Sequence, residues 1–284
     1  MKILNRSLSI SALLFLAAAF PTLARADAKA EAYKYSREAV AAAKDKNWDK
    51  AIDLFQKAVK ADPKNPDNYN NLGLAFKGAG KMDDAIKAFT DSLEQKDDNA
   101  PAYLNRGVAY ISKQKYDQAI QDLDRSLKLN SDSVLAHRFR AFAYLQNKDY
   151  AKAVADYDVV LKEKENDPEI LDRRAFALWN LKKYDQAIAD YSKIIKDKPN
   201  DKSAYLSRSY VYELKGDAAN GIADCDKVLS MDPSNLDAQN RKARLEYLQK
   251  KAAATPTPTA RPRRTLPPEP TVTPRKMRPP GGGR

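Results

Sequence analysis

KYDQAI stands at residues 115–120 and again at 183–188, and a relaxed copy, DYAKAV, stands midway at 149–154. The two identical copies start 68 residues apart, so the interval is 34. Blocks of 34 laid out from residue 32 give 32–65, 66–99, 100–133, 134–167, 168–201 and 202–235, with no insertion or deletion. The eighth place is always small: Ala39, Gly73, Gly107, Ala141, Ala175, Ser209. So is the twentieth: Ala51, Ala85, Ala119, Ala153, Ala187, Gly221. The twenty-fourth is larger in five blocks (Phe55, Phe89, Leu123, Tyr157, Tyr191) and Cys225 in the sixth. Apolar residues recur three, four and seven apart in two bursts per block, parted by a polar break near Gly80 or Gly216. That spacing reads as two amphipathic helices. The small places let the two backbones approach, and the larger ones fill the space around the contact. Pro63, Pro199 and Pro233 stand near block ends, where a residue without an N–H stops a helix.

This pattern resembles the tetratricopeptide repeat (TPR) family in its period and its small and large places. The resemblance covers residues 32–235, which is 204 of 284. It implies an all-α, right-handed α-solenoid of six helix-turn-helix units. Block one departs most, with Glu38 and Ala42 where Leu and an aromatic are usual. Residues 236–251 continue an amphipathic pattern through Leu236, Ala243, Leu245 and Leu248, and read as the cap helix that ends such an array.

Comparing the blocks with one another exposes a covariation. The seventh place is Arg106, Arg140, Arg174 and Arg208 in blocks three to six, and the twenty-third is Asp122, Asp156, Asp190 and Asp224. Blocks one and two have neither, carrying Glu38 and Leu72 at the seventh place and Leu54 and Ala88 at the twenty-third. Pairing across to the preceding block would set Arg106 against Ala88 and strand Asp224, so ion pairs within each block are expected. A guanidinium fork suits a partly buried carboxylate. A row of anion sites is the functional rival.

In the family resembled, the second, fifth, ninth and twelfth places line a concave groove. Carried onto this chain, the groove is Leu74, Leu104, Val108, Ile111, Phe142, Leu145, Phe176, Trp179, Leu206 and Tyr210. These are apolar and aromatic, where a solvated face would be polar, and such a stripe marks a partner site for an extended or helical peptide. Packing between neighbouring repeats is the rival reading. The family's two-carboxylate clamp needs Lys at the fifth place and Asn at the ninth, a combination absent here, so chaperone-tail binding is not expected.

The ends read differently. Lys2 and Arg6 precede an apolar run at 10–20, and Ala24-Arg25-Ala26 follows, the pattern of a secretory signal peptide over residues 1–26 cleaved after Ala26. An uncleaved anchor is the rival, but the run is short of the roughly 20 residues a span needs. Residues 252–284 hold nine prolines and seven Arg/Lys against the single Glu269, and are expected to be a disordered basic tail with polyproline II character. The lone Cys225 reads as a small buried hydrophobe and the lone His137 as a packing residue. No metal-ligand cluster, phosphate loop or nucleophile motif is present, so neither an enzyme nor a cofactor is expected.

The expected protein is therefore an exported, periplasmic, non-catalytic scaffold that binds a protein or peptide in its groove, without a transmembrane segment after cleavage. The alternative is a surface tether whose tail docks on an anionic envelope polymer or lipid, with the repeats as spacer. Nucleic acid is not an expected partner, because export separates the chain from it and no aromatics are interleaved with the tail's charges.

Overall fold

The computed structural model describes residues 10–253, with side chains from residue 26 onward. The charged start of the leader and residues 254–284 of the tail lie outside the described residues. The described residues form thirteen helices and no strand. The chain divides between Asp132 and Ser133, one residue before the end of block three, into two compact units. No described helix is long and apolar enough to cross a membrane.

The first unit holds α1 (Ile10–Lys44), α2 (Trp48–Ala61), α3 (Pro66–Gly78), α4 (Met82–Gln95), α5 (Ala100–Ser112) and α6 (Tyr116–Leu129). The second holds α7 (Val134–Gln146), α8 (Tyr150–Glu163), α9 (Pro168–Asn180), α10 (Tyr184–Asp197), α11 (Lys202–Lys215), α12 (Ala218–Met231) and α13 (Leu236–Ala253). The cap helix therefore runs two residues past the expected 251. Within each unit every helix packs on the next along the chain, the all-α arrangement of a TPR solenoid.

Three places per block make these helices. The thirty-fourth is always a capping side chain. Asn65, Asn99, Ser133, Asp167, Asp201 and Asn235 accept from the first backbone N–H groups of the helix that follows, at 2.9–3.3 Å for the shortest bond of each. The fifteenth is always left-handed: Lys46, Gly80, Gln114, Lys148, Lys182 and Gly216, with φ from 57° to 84°. The N–H of the sixteenth residue returns to the carbonyl of the eleventh, as in Asp149 to Tyr144 at 2.8 Å, which is a Schellman end. The twentieth is sealed, with Ala51, Ala85, Ala119, Ala153 and Ala187 all 0% exposed. In block two the eighth place must be Gly73, because a Cβ there would stand 2.5 Å from the Phe89 ring.

Candidate functional site

The four covarying pairs form one repeated device. Arg106 donates through Nε and Nη2 to the two carboxylate oxygens of Asp122, both at 2.8 Å. Arg140 meets Asp156 in the same way at 2.7 Å, Arg174 meets Asp190 at 2.9 and 2.6 Å, and Arg208 meets Asp224 at 2.9 and 2.7 Å. The aspartates are buried and the arginines nearly so. The hydrogen bonds to Asp122 and Asp224 hold the Arg106 and Arg208 guanidiniums above their ordinary pKa. At Asp190 burial raises the carboxyl despite Arg174 beside it. Burial opposes the charge of Arg174 as well, but its two aspartates outweigh that and raise its pKa. The short bidentate geometry favours the ionised pair.

Block comparison points only within the block, but Arg106, Arg174 and Arg208 also extend a third arm. Nη1 of Arg106 donates to Thr90 at 3.0 Å, that of Arg174 to Asp158 at 2.7 Å and that of Arg208 to Ser192 at 2.8 Å. These acceptors occupy the twenty-fifth place of the preceding block, sixteen residues back. Lys242, at the seventh place of the α13 frame, continues the series by pairing with Asp226 at 2.6 Å. The acceptors at the twenty-fifth place were the legible signal for this second contact, and they were missed. His137, expected as a packing residue, also sets Nδ1 2.8 Å from Asp156 Oδ1. Two other fourth places lean on the same device: Tyr103 lies beneath Arg106 and Tyr205 beneath Arg208, each with the guanidinium 5.7 Å from the ring centre. This seam joins helices and leaves little of its charge open to a ligand.

The groove residues divide by exposure. In the first unit Leu74, Leu104 and Val108 are half-buried, and Leu74 packs toward Ala109 and Phe89. Ile111 is 3% exposed and belongs to the interior. In the second unit Phe142 and Leu145, at 3% and 4%, are likewise interior and correct the expected groove. Phe142 is covered by Arg173, whose guanidinium sits 4.8 Å from the ring centre. Phe142 thus meets a side chain of the next first helix before it meets solvent, a contact that a register rule alone does not show.

What stays half-buried in the second unit is Phe176, Trp179, Leu206 and Tyr210. Three of these are rings in one continuous run. Phe176 and Trp179 are 5.0 Å apart, and Trp179 and Tyr210 meet edge to face at 5.1 Å. Tyr150, which the register rule does not place in the groove, joins Phe176 at 6.2 Å. Tyr191, fully buried, supports Trp179 from within at 6.4 Å. Two arginine–glutamate clusters flank the run. Glu169 accepts from Arg138 at 2.6 Å and Arg173 at 2.7 Å. Glu213 accepts from Arg241 at 3.2 Å and Arg244 at 2.5 Å, and Arg241 stacks on Tyr210 at 5.0 Å. Arg173 and Arg241 each stand at the sixth place after a block with an aromatic ninth place, although Ser207 follows Phe176 in the same columns.

The first unit instead offers Lys77 at the twelfth place, half-buried and with no ion-pair partner among the described residues. Burial pushes its ammonium below the ordinary lysine pKa. Cys225 is sealed against Ser209, with Sγ 3.2 Å from Oγ, and burial pushes its thiol up.

Models described as tetratricopeptide repeats match residues 43–80, 66–99, 100–133 and 173–235, together more than half of the chain. The chain is a tetratricopeptide repeat protein. TPR arrays are protein-interaction modules, so this TPR chain is a protein–protein interaction scaffold. No curated protein matches it. Its fold is similar to that of YrrB, a TPR protein described as having an unusual peptide-binding site, with a TM-score of 0.63 at 18% identity over 66% of this chain and 97% of that one. A TPR protein from Parabacteroides merdae gives 0.57 at 22% identity over 78% and 88%. The Cut9–Hcn1 hetero-tetramer of the APC/C gives 0.53 at 19% over 76% of this chain and 42% of that one.

Proposed function

We propose that this TPR chain is a non-catalytic scaffold of the cell envelope that holds an extended peptide or a partner helix against the aromatic run of its second unit. The carrying observation is that run itself. Tyr150, Phe176, Trp179 and Tyr210 stay partly open to solvent although each is large enough to have been buried. Half-open aromatic rings set between arginines are the composition of interaction hot spots. The peptide-binding description attached to YrrB supports the same reading. The envelope location rests on the leader pattern of residues 1–26. Affinity capture from an envelope extract tests it. The combined Phe176→Ala, Trp179→Ala and Tyr210→Ala chain is expected to lose the partner that the wild type retains. Retention of that partner by the folded triple variant contradicts the reading. Phe142 is left out of the triple because its ring is interior.

A second reading is favoured by the tail's seven Arg/Lys against one Glu. Such a segment docks on an anionic polymer or lipid, and the repeats act as a spacer. Under it the triple variant keeps its place in the envelope, whereas a chain ending at Lys251 loses it.

A further inference from the structure

Resting on the aromatic-run reading, we propose that residues 264–270 of this chain, RTLPPEP, occupy the run in cis and compete with its partner. Three observations point to this segment. The first is chemical. Prolines dock on grooves lined with aromatic rings, and the stiffness of a proline-rich chain lowers the entropy lost on docking. Nine of the chain's sixteen prolines follow residue 253, and Pro267, Pro268 and Pro270 are the densest group among them.

The second is size. Successive ring centres from Tyr150 through Phe176 and Trp179 to Tyr210 are 6.2, 5.0 and 5.1 Å apart. Five residues of polyproline II extend about 15 Å, which matches a run of that length and the segment Leu266–Pro270.

The third is reach. Arg241 lies on Tyr210, at one end of the run, and α13 carries the chain from there to Ala253. Twelve helical residues separate Arg241 from Ala253, about 18 Å at the helical rise. The ten residues between Ala253 and Arg264 reach about 31 Å even at the polyproline rise, enough to return to the run. A segment so tethered acts at an effective concentration in the millimolar range, so a weak fit suffices to occupy the run.

The test uses the full chain with Trp48→Phe, which leaves Trp179 as the sole tryptophan. Adding Pro267→Ala, Pro268→Ala and Pro270→Ala is expected to shift Trp179 emission to the red and raise its quenching by acrylamide. The synthetic peptide RPRRTLPPEP, residues 261–270, is then expected to bind this variant about tenfold more tightly than it binds the chain with its prolines intact. Identical emission, quenching and peptide affinity in the two chains overturn the proposal. So does a tail effect that grows with protein concentration, since the tail would then be reaching a second copy. Should Trp48→Phe disturb the fold, hydrogen exchange of residues 168–215 in otherwise wild-type chains gives the same contrast: protection that the proline substitutions release, or no difference, which overturns it. Failure here with partner capture still dependent on Phe176, Trp179 and Tyr210 sinks the tail inference alone. A tail that covers the run with no partner ever captured sinks the scaffold reading instead.

Discussion

Helices α3 and α5 of the first unit and α9 and α11 of the second occupy equivalent places in the same 34-residue frame, yet they present different chemistry. The first pair shows Leu74, Leu104 and Val108 beside Lys77, which has no ion-pair partner among the described residues, and the second shows Phe176, Trp179, Leu206 and Tyr210 beside paired arginines. Blocks two and three also close their eighth places with Gly73 and Gly107, against Ala141 and Ala175 in blocks four and five. The contrast teaches that the frame is indifferent to what stands at the ninth and twelfth places. Those places are free to carry recognition, while the capping, left-handed and sealed places are not.

The strongest way to break the comparison is through the arginine seam, which block two lacks. Asp156→Ala leaves Arg140 without its bidentate partner and His137 without its acceptor, and is expected to cost about 3–5 kcal/mol in a urea melt. The reciprocal experiment in block two is sharper still. Ala88 is 3% exposed, so Ala88→Asp alone buries an unpaired carboxylate, and adding Leu72→Arg should recover much of the loss. No recovery would mean that the seam needs more than its two residue types.

Next in size is the effect on binding. Trp179→Ala is expected to weaken the captured partner by about 2 kcal/mol or more, and Leu74→Ala by less than about 1 kcal/mol, measured as dissociation constants. Equal losses would erase the distinction between the two units. Gly73→Ala follows, with an expected cost of about 1–3 kcal/mol, because the new methyl meets the fully buried Phe89 ring.

Smaller effects come from the turns. Lys182→Gly is expected to stabilise by up to about 1 kcal/mol, since φ is 60° there, and Gly80→Ala, with φ 77°, to destabilise by a similar amount. The smallest concerns Lys77. Its folded pKa is lowered by burial, so in the alkaline window between that value and the ordinary lysine pKa the unfolded chain binds more protons. The contribution of Lys77 to stability therefore rises with pH across that window, and below it the buried charge is a constant cost. Lys77→Met should remove this slope in melting temperatures taken from neutral pH to pH 10.

The helices and their pairing were legible because the frame repeats six times, so each place is read against five others. Tyr116 and Tyr184, inside the repeated phrase, open α6 and α10. The Arg/Asp columns were legible for the same reason, and comparing blocks was enough to set Arg106 against Asp122. What escaped was contact between neighbouring blocks. Thr90, Asp158 and Ser192 differ in type, so their common role as acceptors for the next arginine is hidden until hydrogen-bonding capacity is compared in place of identity. The groove was legible only as a set of places. Ile111, Phe142 and Leu145 occupy lining places but are buried, and Phe142 lies beneath Arg173. A register rule gives direction along a helix and says nothing of how far the adjacent side chains reach.

The claim on which the rest depends is that recognition sits on the second unit's aromatic run. Hydrogen exchange of the full chain, alone and with the partner recovered by capture, addresses it most directly. Slowed exchange in residues 168–180 and 202–215, the spans of α9 and α11, with 66–78 and 100–112 unchanged, is the predicted result. Protection confined to 66–78 and 100–112 would contradict it.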